Sequence, residues 1–294
     1  MAGAVEPPFG AHALPPALER LRRFGAGLGR GAAARRLTSV IRRLCLAGRP
    51  DPVDLEPFPG QRARLYPRDN LSEKRVFGAP QFWDWAEREA LAAAMARAPA
   101  PFHFVDAGAN AGLYSLAVRS LGPARILSVE PEPGTLARLR VNLAASGAAE
   151  VRVAPVALGA GPGRARIAAP EGNRGEAALG EHGAEVEVVA LLALLEAEGF
   201  SRLDALKIDI EGREAPMLEA FFRDADRALW PGLVVIEAPR GRDTPALALL
   251  VQKGYVMAGR TRLNAILSAP ERERAAGTGT AAGKRNSGGA DGEA

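Results

Sequence analysis

The sequence predicts a doubly wound α/β fold, and three observations carry that prediction. From residue 102 onward, the short apolar runs HFVDA, RILSVE, VRVAPVAL, LDALKIDI and LVVIEA alternate with segments of helical periodicity. Strands alternating with helices of about ten to fifteen residues make βαβ units, and runs apolar on both faces belong to a parallel sheet covered on both sides. Glycines close several of the helical segments, at Gly122, Gly147, Gly199 and Gly254, where a helix C-terminus favours a residue without a Cβ. The first strand runs straight into a glycine turn, FVDAGANAG.

Taken in order, residues 1–60 read as one or two short basic helices giving way to a proline-punctuated linker, PDPVDLEPFPG, since proline punctuates turns and loops. RVFGAPQFWDWAEREALAAAMAR predicts a turn and a helix over 81–97, with Phe82, Trp85, Leu91 and Met95 near helical spacing and with Trp83 and Trp85 packing on the domain that follows. The strands named above then alternate with the helices LYSLAVRSLG, PGTLARLRVNLAASG, VALLALLEAEG, REAPMLEAFFRDADRAL and TPALALLVQKG, and GYVMAGRTRLNAILSA closes as a hairpin. The glycine-rich stretch APEGNRGEAALGEHGAE is expected to be a loop at the active edge, either contacting the acceptor through Asn173, Arg174 and His182 or simply solvated. The stretch after Pro270 has no apolar periodicity and is expected to be disordered. The expected organisation is a basic, partly disordered N-terminal extension (1–75), one α/β domain (76–269) and a tail (270–294).

With 47% hydrophobic and 24% charged residues the composition is that of a globular protein, and the net charge of +4 is unevenly spread. Arg20, Arg22, Arg23, Arg30, Arg35, Arg36, Arg42, Arg43 and Arg49 face only Glu6 and Glu19 in the first fifty residues. Such an arm is either a solvated leader or a contact for phosphate-rich partners or an anionic membrane surface. The single cysteine, Cys45, excludes an intramolecular disulfide and a cysteine metal cluster. No apolar run approaches the roughly 20 residues that span a bilayer, so a soluble, cytoplasmic protein without a transmembrane segment is expected.

The glycine turn is the centre of the functional reading. In open α/β sheets ligands sit beyond the carboxyl ends of the strands, where the strand order reverses. Gly108 and Gly112 permit a close approach of backbone to ligand, and the amides opening the next helix suit an anion. Asn110 stands where a dinucleotide fingerprint has its second glycine, which argues against a nicotinamide dehydrogenase. Glu130 ends the next strand at the distance where a carboxylate reaches a ribose diol. Asp106, the turn and Glu130 together describe a site for an adenosine-bearing ligand; the alternative is a plain turn and a helix cap. A second acidic cluster, KIDIEGREA, puts Lys207, Asp209 and Glu211 on one side if the strand continues that far, with Glu214 favoured by the helix dipole.

FVDAGANAGLYS, LSVEPEPGTLARLRVNL, PVALGAGPGRARI and, above all, LKIDIEGREAPMLEAF followed by LVVIEAP resemble the FkbM family of S-adenosylmethionine-dependent methyltransferases, over residues 76–237. The resemblance implies a class I methyltransferase fold, Rossmann-like, whose mostly parallel seven-stranded sheet ends on an antiparallel strand. It implies methyl transfer to oxygen, commonly a hydroxyl of a sugar or another small metabolite. It implies that Asp106, Gly108 and Gly112 line the methionine part of S-adenosylmethionine, that Asn110 orders the loop, and that Glu130 holds the ribose hydroxyls. Methyl transfer to an alcohol needs positioning and removal of the hydroxyl proton; Asp209 or Glu211 is the candidate base, with Glu237 a second candidate. These carboxylates either raise one another's pKa or share a divalent cation; no H-x-x-H or H-E-x-x-H spacing marks a zinc site, and no metal is assigned. The segment VEVVALLALLEAEG departs from the family, which often has an acid near Leu191 to Leu194, and this leaves an inactive S-adenosylmethionine-binding module as one alternative. A nucleic-acid methyltransferase is another, suggested by the basic arm and disfavoured because KIDIEG holds neither the proline nor the aromatic residue of an N/D-P-P-aromatic stretch.

Overall fold

Side-chain alternation along the central strands sorts the core into two layers, and the N-terminal extension is built into one of them. The computed structural model describes residues 6–168, 178–180 and 182–270. The chain opens with α1 (Pro16–Ala26), which has a proline at its first turn, and α2 (Ala32–Leu46), which buries Thr38, Ile41, Cys45 and Leu46 on one stripe. Where the sequence suggests a linker, β1 (Val53–Phe58) and β2 (Gln61–Leu65) form an antiparallel hairpin. Proline is tolerated there because both strands of a two-stranded sheet are edges.

Arg64 holds this hairpin to the chain's start. Its guanidinium is 2% exposed, takes both oxygens of Asp54 at 2.7 and 2.9 Å, reaches Glu6 at 2.7 Å and donates to the carbonyls of Pro7 and Pro8. Asp54 also accepts from the backbone of Gly10 and His12. Burial raises the Asp54 pKa, but Arg64 and the backbone donors of His12 and Gly10 together outweigh it and hold the carboxyl below the usual aspartate value. Next come α3 (Leu71–Gly78), capped by Asn70, and α4 (Trp85–Arg97), four residues shorter at its start than the expected 81–97. Trp83 is buried against Phe58 and Tyr114, as expected of a packing residue, whereas Trp85 is exposed beneath Arg30.

The doubly wound part follows the predicted alternation: β3 (Phe102–Ala107), α5 (Leu113–Arg119), β4 (Ala124–Val129), α6 (Pro133–Ala145) and β5 (Arg152–Ala154). The run VRVAPVAL is two strands rather than one, because after β5 the chain turns out of the sheet into β6 (Ala157–Gly159). With β7 (Gly163–Ala168), β8 (Ala178–Gly180) and β9 (Ala184–Ala190) it makes a separate four-stranded sheet, β6-β9-β7-β8. Of the stretch expected to be a loop, residues 178–180 and 184–185 belong to that sheet; Asn173 and Arg174 lie outside the described residues. The chain then returns through α7 (Leu191–Ala197), β10 (Ala205–Ile208), α8 (Glu214–Asp224), β11 (Leu233–Glu237), α9 (Pro245–Gln252), β12 (Val256–Arg260) and β13 (Asn264–Ser268). The expected tail falls outside the described residues.

The seven-stranded sheet has the order β12-β13-β11-β10-β3-β4-β5, parallel except for β13, which runs antiparallel to both neighbours. This is the mostly parallel sheet with an antiparallel last strand that the sequence resemblance implies. Phe102 and Phe104 of β3 point into a cluster with α4, α5, α6 and the N-terminal extension; Val105 and Ala107 point into a second cluster with α7, α8 and α9. Strand order reverses between β3 and β10, so the crevice that such sheets use for ligands opens at their carboxyl ends.

Candidate functional site

Residues 108–112 leave β3 with Gly108 at φ +76°, Asn110 at +51° and Gly112 at +82°. Gly108 is dictated by a backbone crossing: a Cβ there would lie 1.8 Å from the carbonyl oxygen of Asp209. Gly112 has a different reason, since its Cβ would meet Leu139 Cδ1 at 2.5 Å in the helix packed behind the turn. Asn110 donates its backbone N–H to Glu130 at 2.8 Å, and its side-chain oxygen accepts from Asn70 at 2.9 Å and from Ala111 at 2.7 Å. These side-chain bonds stabilise an αL conformation that asparagine tolerates better than most residues.

Glu130 lies just past β4, buried, with one oxygen on the Asn110 N–H and the other on the Glu132 N–H at 2.9 Å. Burial pushes its pKa up to about 7, against the opposing pull of those two hydrogen bonds. A carboxylate has about four acceptor sites, so two remain free for ligand hydroxyls. Gly108, Asn110, Glu130, Asp209 and Glu211 all line one crevice, which also touches Thr135, Val156, Ile167 and Ile210. The hydroxyl of Thr135 is buried there without a hydrogen-bond partner.

Asp106 and Gly112 do not reach the crevice wall. Asp106 is fully buried beneath the turn, where one oxygen accepts from the backbone and hydroxyl of Ser115 at 3.1 and 2.7 Å. Its other oxygen has no hydrogen-bond partner and lies 3.9 Å from Lys207 Nζ. Burial raises the Asp106 pKa, with Lys207 and Ser115 opposing. Lys207 donates to the Gly108 carbonyl at 2.8 Å and faces Asp209 at 3.4 Å. Burial alone would lower the lysine's pKa, but Asp209 and Asp106 outweigh it and hold it above the ordinary value. The lysine thus ties the glycine turn to the second acidic cluster.

That cluster is arranged differently from the alternation expected of it. The strand ends at Ile208, and Glu211 adopts φ +53° and is exposed, so it leaves the face shared by Lys207 and Asp209. Glu214 is turned back to accept from the N–H groups of Ile210 and Gly212, both at 3.1 Å, and so shapes the turn. Glu237 ends β11; burial first, then the charges of Asp209 and Glu214, push its pKa up to about 7. His103 packs against Phe200 at the far end of β3, and His182 is exposed outside the crevice wall.

Residues 106–256, a little over half the chain, match the family model described as the methyltransferase FkbM domain. The chain belongs to the FkbM methyltransferase family. Its methyl donor is accordingly S-adenosylmethionine, and the residues of the crevice suit that molecule. Glu130 keeps two acceptor sites for a ribose diol, and Thr135 offers an unpartnered hydroxyl. The crevice itself encloses about 50 Å³, well under the roughly 300–1,000 Å³ of small-molecule sites.

Solved structures similar to this FkbM protein include the precorrin-6y C5,15-methyltransferase of Geobacter metallireducens GS-15, at 18% identity and a TM-score of 0.40 over 63% of this chain and 87% of that one. The ribosomal protein L11 methylase of Lactobacillus delbrueckii subsp. bulgaricus is 16% identical over 62% and 78%, with a TM-score of 0.36. The N-terminal domain of human METTL16 in complex with SAH is 14% identical over 64% and 69%, with a TM-score of 0.40. No curated protein matches the chain. Among the described residues, no helix is long and apolar enough to cross a membrane, and no group of three or more His, Cys, Asp or Glu side chains is placed to hold a metal ion.

The sequence alone marks neither Thr135 nor Asn70 as part of this site. Thr135 is hidden in a helix-capping pattern, its N–H bound by the Glu132 side chain. Asn70 arrives from 40 residues upstream, and no local spacing signals such a contact.

Proposed function

We propose that this protein transfers the methyl group of S-adenosylmethionine to a hydroxyl oxygen of a small metabolite, with Asp209 receiving the hydroxyl proton. The observation that carries this reading is the Asp209–Glu237 pair. Asp209 lines the crevice beside Gly108 and Glu130, and Glu237, on the neighbouring strand, has its pKa pushed up to about 7 by burial and by the charge of Asp209.

S-adenosylmethionine supplies an already activated sulfonium methyl, so the protein has to position the acceptor and take up one proton. Glu130 would hold the ribose hydroxyls, and Lys207 fixes Asp209 and the Gly108 carbonyl in register. As the acceptor oxygen bonds to the methyl carbon, the carbon–sulfur bond breaks and the hydroxyl proton passes to Asp209. The products are a methyl ether and S-adenosylhomocysteine. Asp106 acts at one remove, through Lys207 and Ser115.

Calorimetry with S-adenosylmethionine and S-adenosylhomocysteine, on the wild type and Glu130→Ala, tests the donor site; saturable binding lost in the variant is expected. No binding by a folded wild type would sink the donor assignment. Hydroxylated acceptors are then screened for S-adenosylhomocysteine release. Asp209→Asn is expected to lower turnover by about a hundredfold or more with donor affinity retained; undiminished turnover would remove Asp209 from the proton-transfer role.

A further inference from the structure

A second and larger cavity, of about 770 Å³, lies between α2, the start of α4 and the turn joining β12 to β13. It shares no lining residue with the donor crevice, and two connections run from its wall toward the carboxylate pair. Asn264, next to its wall, pairs in register with Glu237. Asp84, in its wall, accepts from Tyr114 Oη at 2.9 Å; the Tyr114 ring lies 5.5 Å from Lys207 Nζ.

The charge of this cavity is unbalanced in a specific way. Arg30, Arg35, Arg42, Arg75 and Arg262 line it, against Asp84 and Glu87. Both carboxylates are already engaged, Asp84 by Tyr114 and Glu87 by Thr261 and Asn264 at 2.8 Å each. Among the described residues, none of the five arginines forms an ion pair with a carboxylate.

Three of the guanidinium groups are nevertheless held in place. Arg30 stacks 4.0 Å from the Trp85 ring centroid, Arg35 lies 4.7 Å from that of Phe82, and the Arg42 stem crosses Gly78 so closely that a Cβ there would lie 2.5 Å from its Cδ. Trp83, 3% exposed in the same wall, has an indole N–H without an acceptor. Preset donors without acceptors describe a site for a ligand rich in anionic oxygen, and forked guanidiniums match phosphate best.

We propose that this cleft is the acceptor site and that the methyl acceptor is a small molecule bearing a phosphate or pyrophosphate group. The proposal rests on the methyl-transfer reading above and adds the class of acceptor to it. The cavity's volume is that of a site enclosing one small ligand, which favours a single phosphorylated metabolite over a polynucleotide.

The test is a titration of the full chain with inorganic pyrophosphate at fixed ionic strength, followed by tryptophan fluorescence because Trp83 and Trp85 line the cleft. Saturable binding is expected, weakened by about tenfold or more in Arg30→Ala/Arg35→Ala. Both residues are exposed, so their removal leaves the fold intact. Arg36→Ala/Arg43→Ala, exposed on α2 outside the cleft, is expected to change affinity by less than about twofold. Equal losses in the two variants, or no saturable binding, would overturn the proposal. A single-stranded RNA bound more tightly than pyrophosphate, through the same arginines, would overturn it in favour of a polynucleotide acceptor. S-adenosylmethionine affinity is measured in parallel: if it persists while pyrophosphate fails, only the acceptor class falls, and if it is absent the methyl-transfer reading falls first.

Discussion

Two residues of the donor crevice answer to different physics. Glu130 titrates at about 7 because burial outweighs its two backbone hydrogen bonds, and only its ionised form accepts from both hydroxyls of a diol. Affinity for S-adenosylmethionine is therefore expected to fall by about tenfold between pH 8 and pH 6, while Glu130→Gln binds weakly and without that slope. Calorimetry at the two pH values checks both; a wild-type affinity flat across this range would remove Glu130 from the diol. Gly108 is a matter of space. With φ at +76° and the Asp209 carbonyl 1.8 Å from where a Cβ would stand, Gly108→Ala is expected to destabilise the fold by about 2 kcal/mol or more, measured by urea denaturation. Both residues were legible in the sequence, one as a strand-end acid at the right distance and the other as a turn glycine. Asp106 was legible as important but not in its manner, because a strand-end aspartate reads alike whether it faces a ligand or, as here, a lysine beneath the turn.

At the scale of elements, the strands buried on both faces announced themselves as unbroken apolar runs, and the parallel sheet followed from their alternation with helices. The misread elements have local causes. Pro52, Pro57 and Pro59 punctuate a hairpin whose strands are both edges, and edges need no continuous row of donors. The sheet β6-β9-β7-β8 buries only a small cluster around Ala157, Ile167 and Val186, so its pattern resembles that of a polar loop. Glu211 broke the expected alternation because the chain leaves the strand before it. The hairpin β1–β2 carries a prediction of its own: Asp54→Ala leaves the Arg64 guanidinium buried without its main partner and is expected to cost roughly 3–5 kcal/mol in chemical denaturation. Since Arg64 and the backbone donors of His12 and Gly10 together hold the Asp54 carboxyl below the ordinary aspartate value, the site's contribution is present above that value and is lost as pH falls through the lowered one.

For the whole molecule the balance of titrating groups runs the other way near neutrality. Glu73, Glu130 and Glu237 all titrate at about 7, with burial the first cause in each, against an ordinary glutamate value of 4.5. The folded state thus binds more protons than the unfolded chain between pH 4.5 and 7, and stability falls as pH rises through that window. Thermal denaturation is expected to show a lower Tm at pH 8 than at pH 5.5; a Tm that rises instead would show that these carboxyls ionise freely in the fold. The N-terminal extension belongs to this balance as well, since Ile41, Cys45, Leu55 and Leu65 share one core cluster with Phe104 and Leu139. A direct polar link to the donor turn, the 2.9 Å hydrogen bond from Asn70 to Asn110, joins two segments that are remote in sequence. Free energies of linked equilibria are reciprocal. Whatever donor binding adds to the order of the extension, an ordered extension returns to donor binding by the same factor, so a substitution at Asn70 that loosens one is expected to weaken the other.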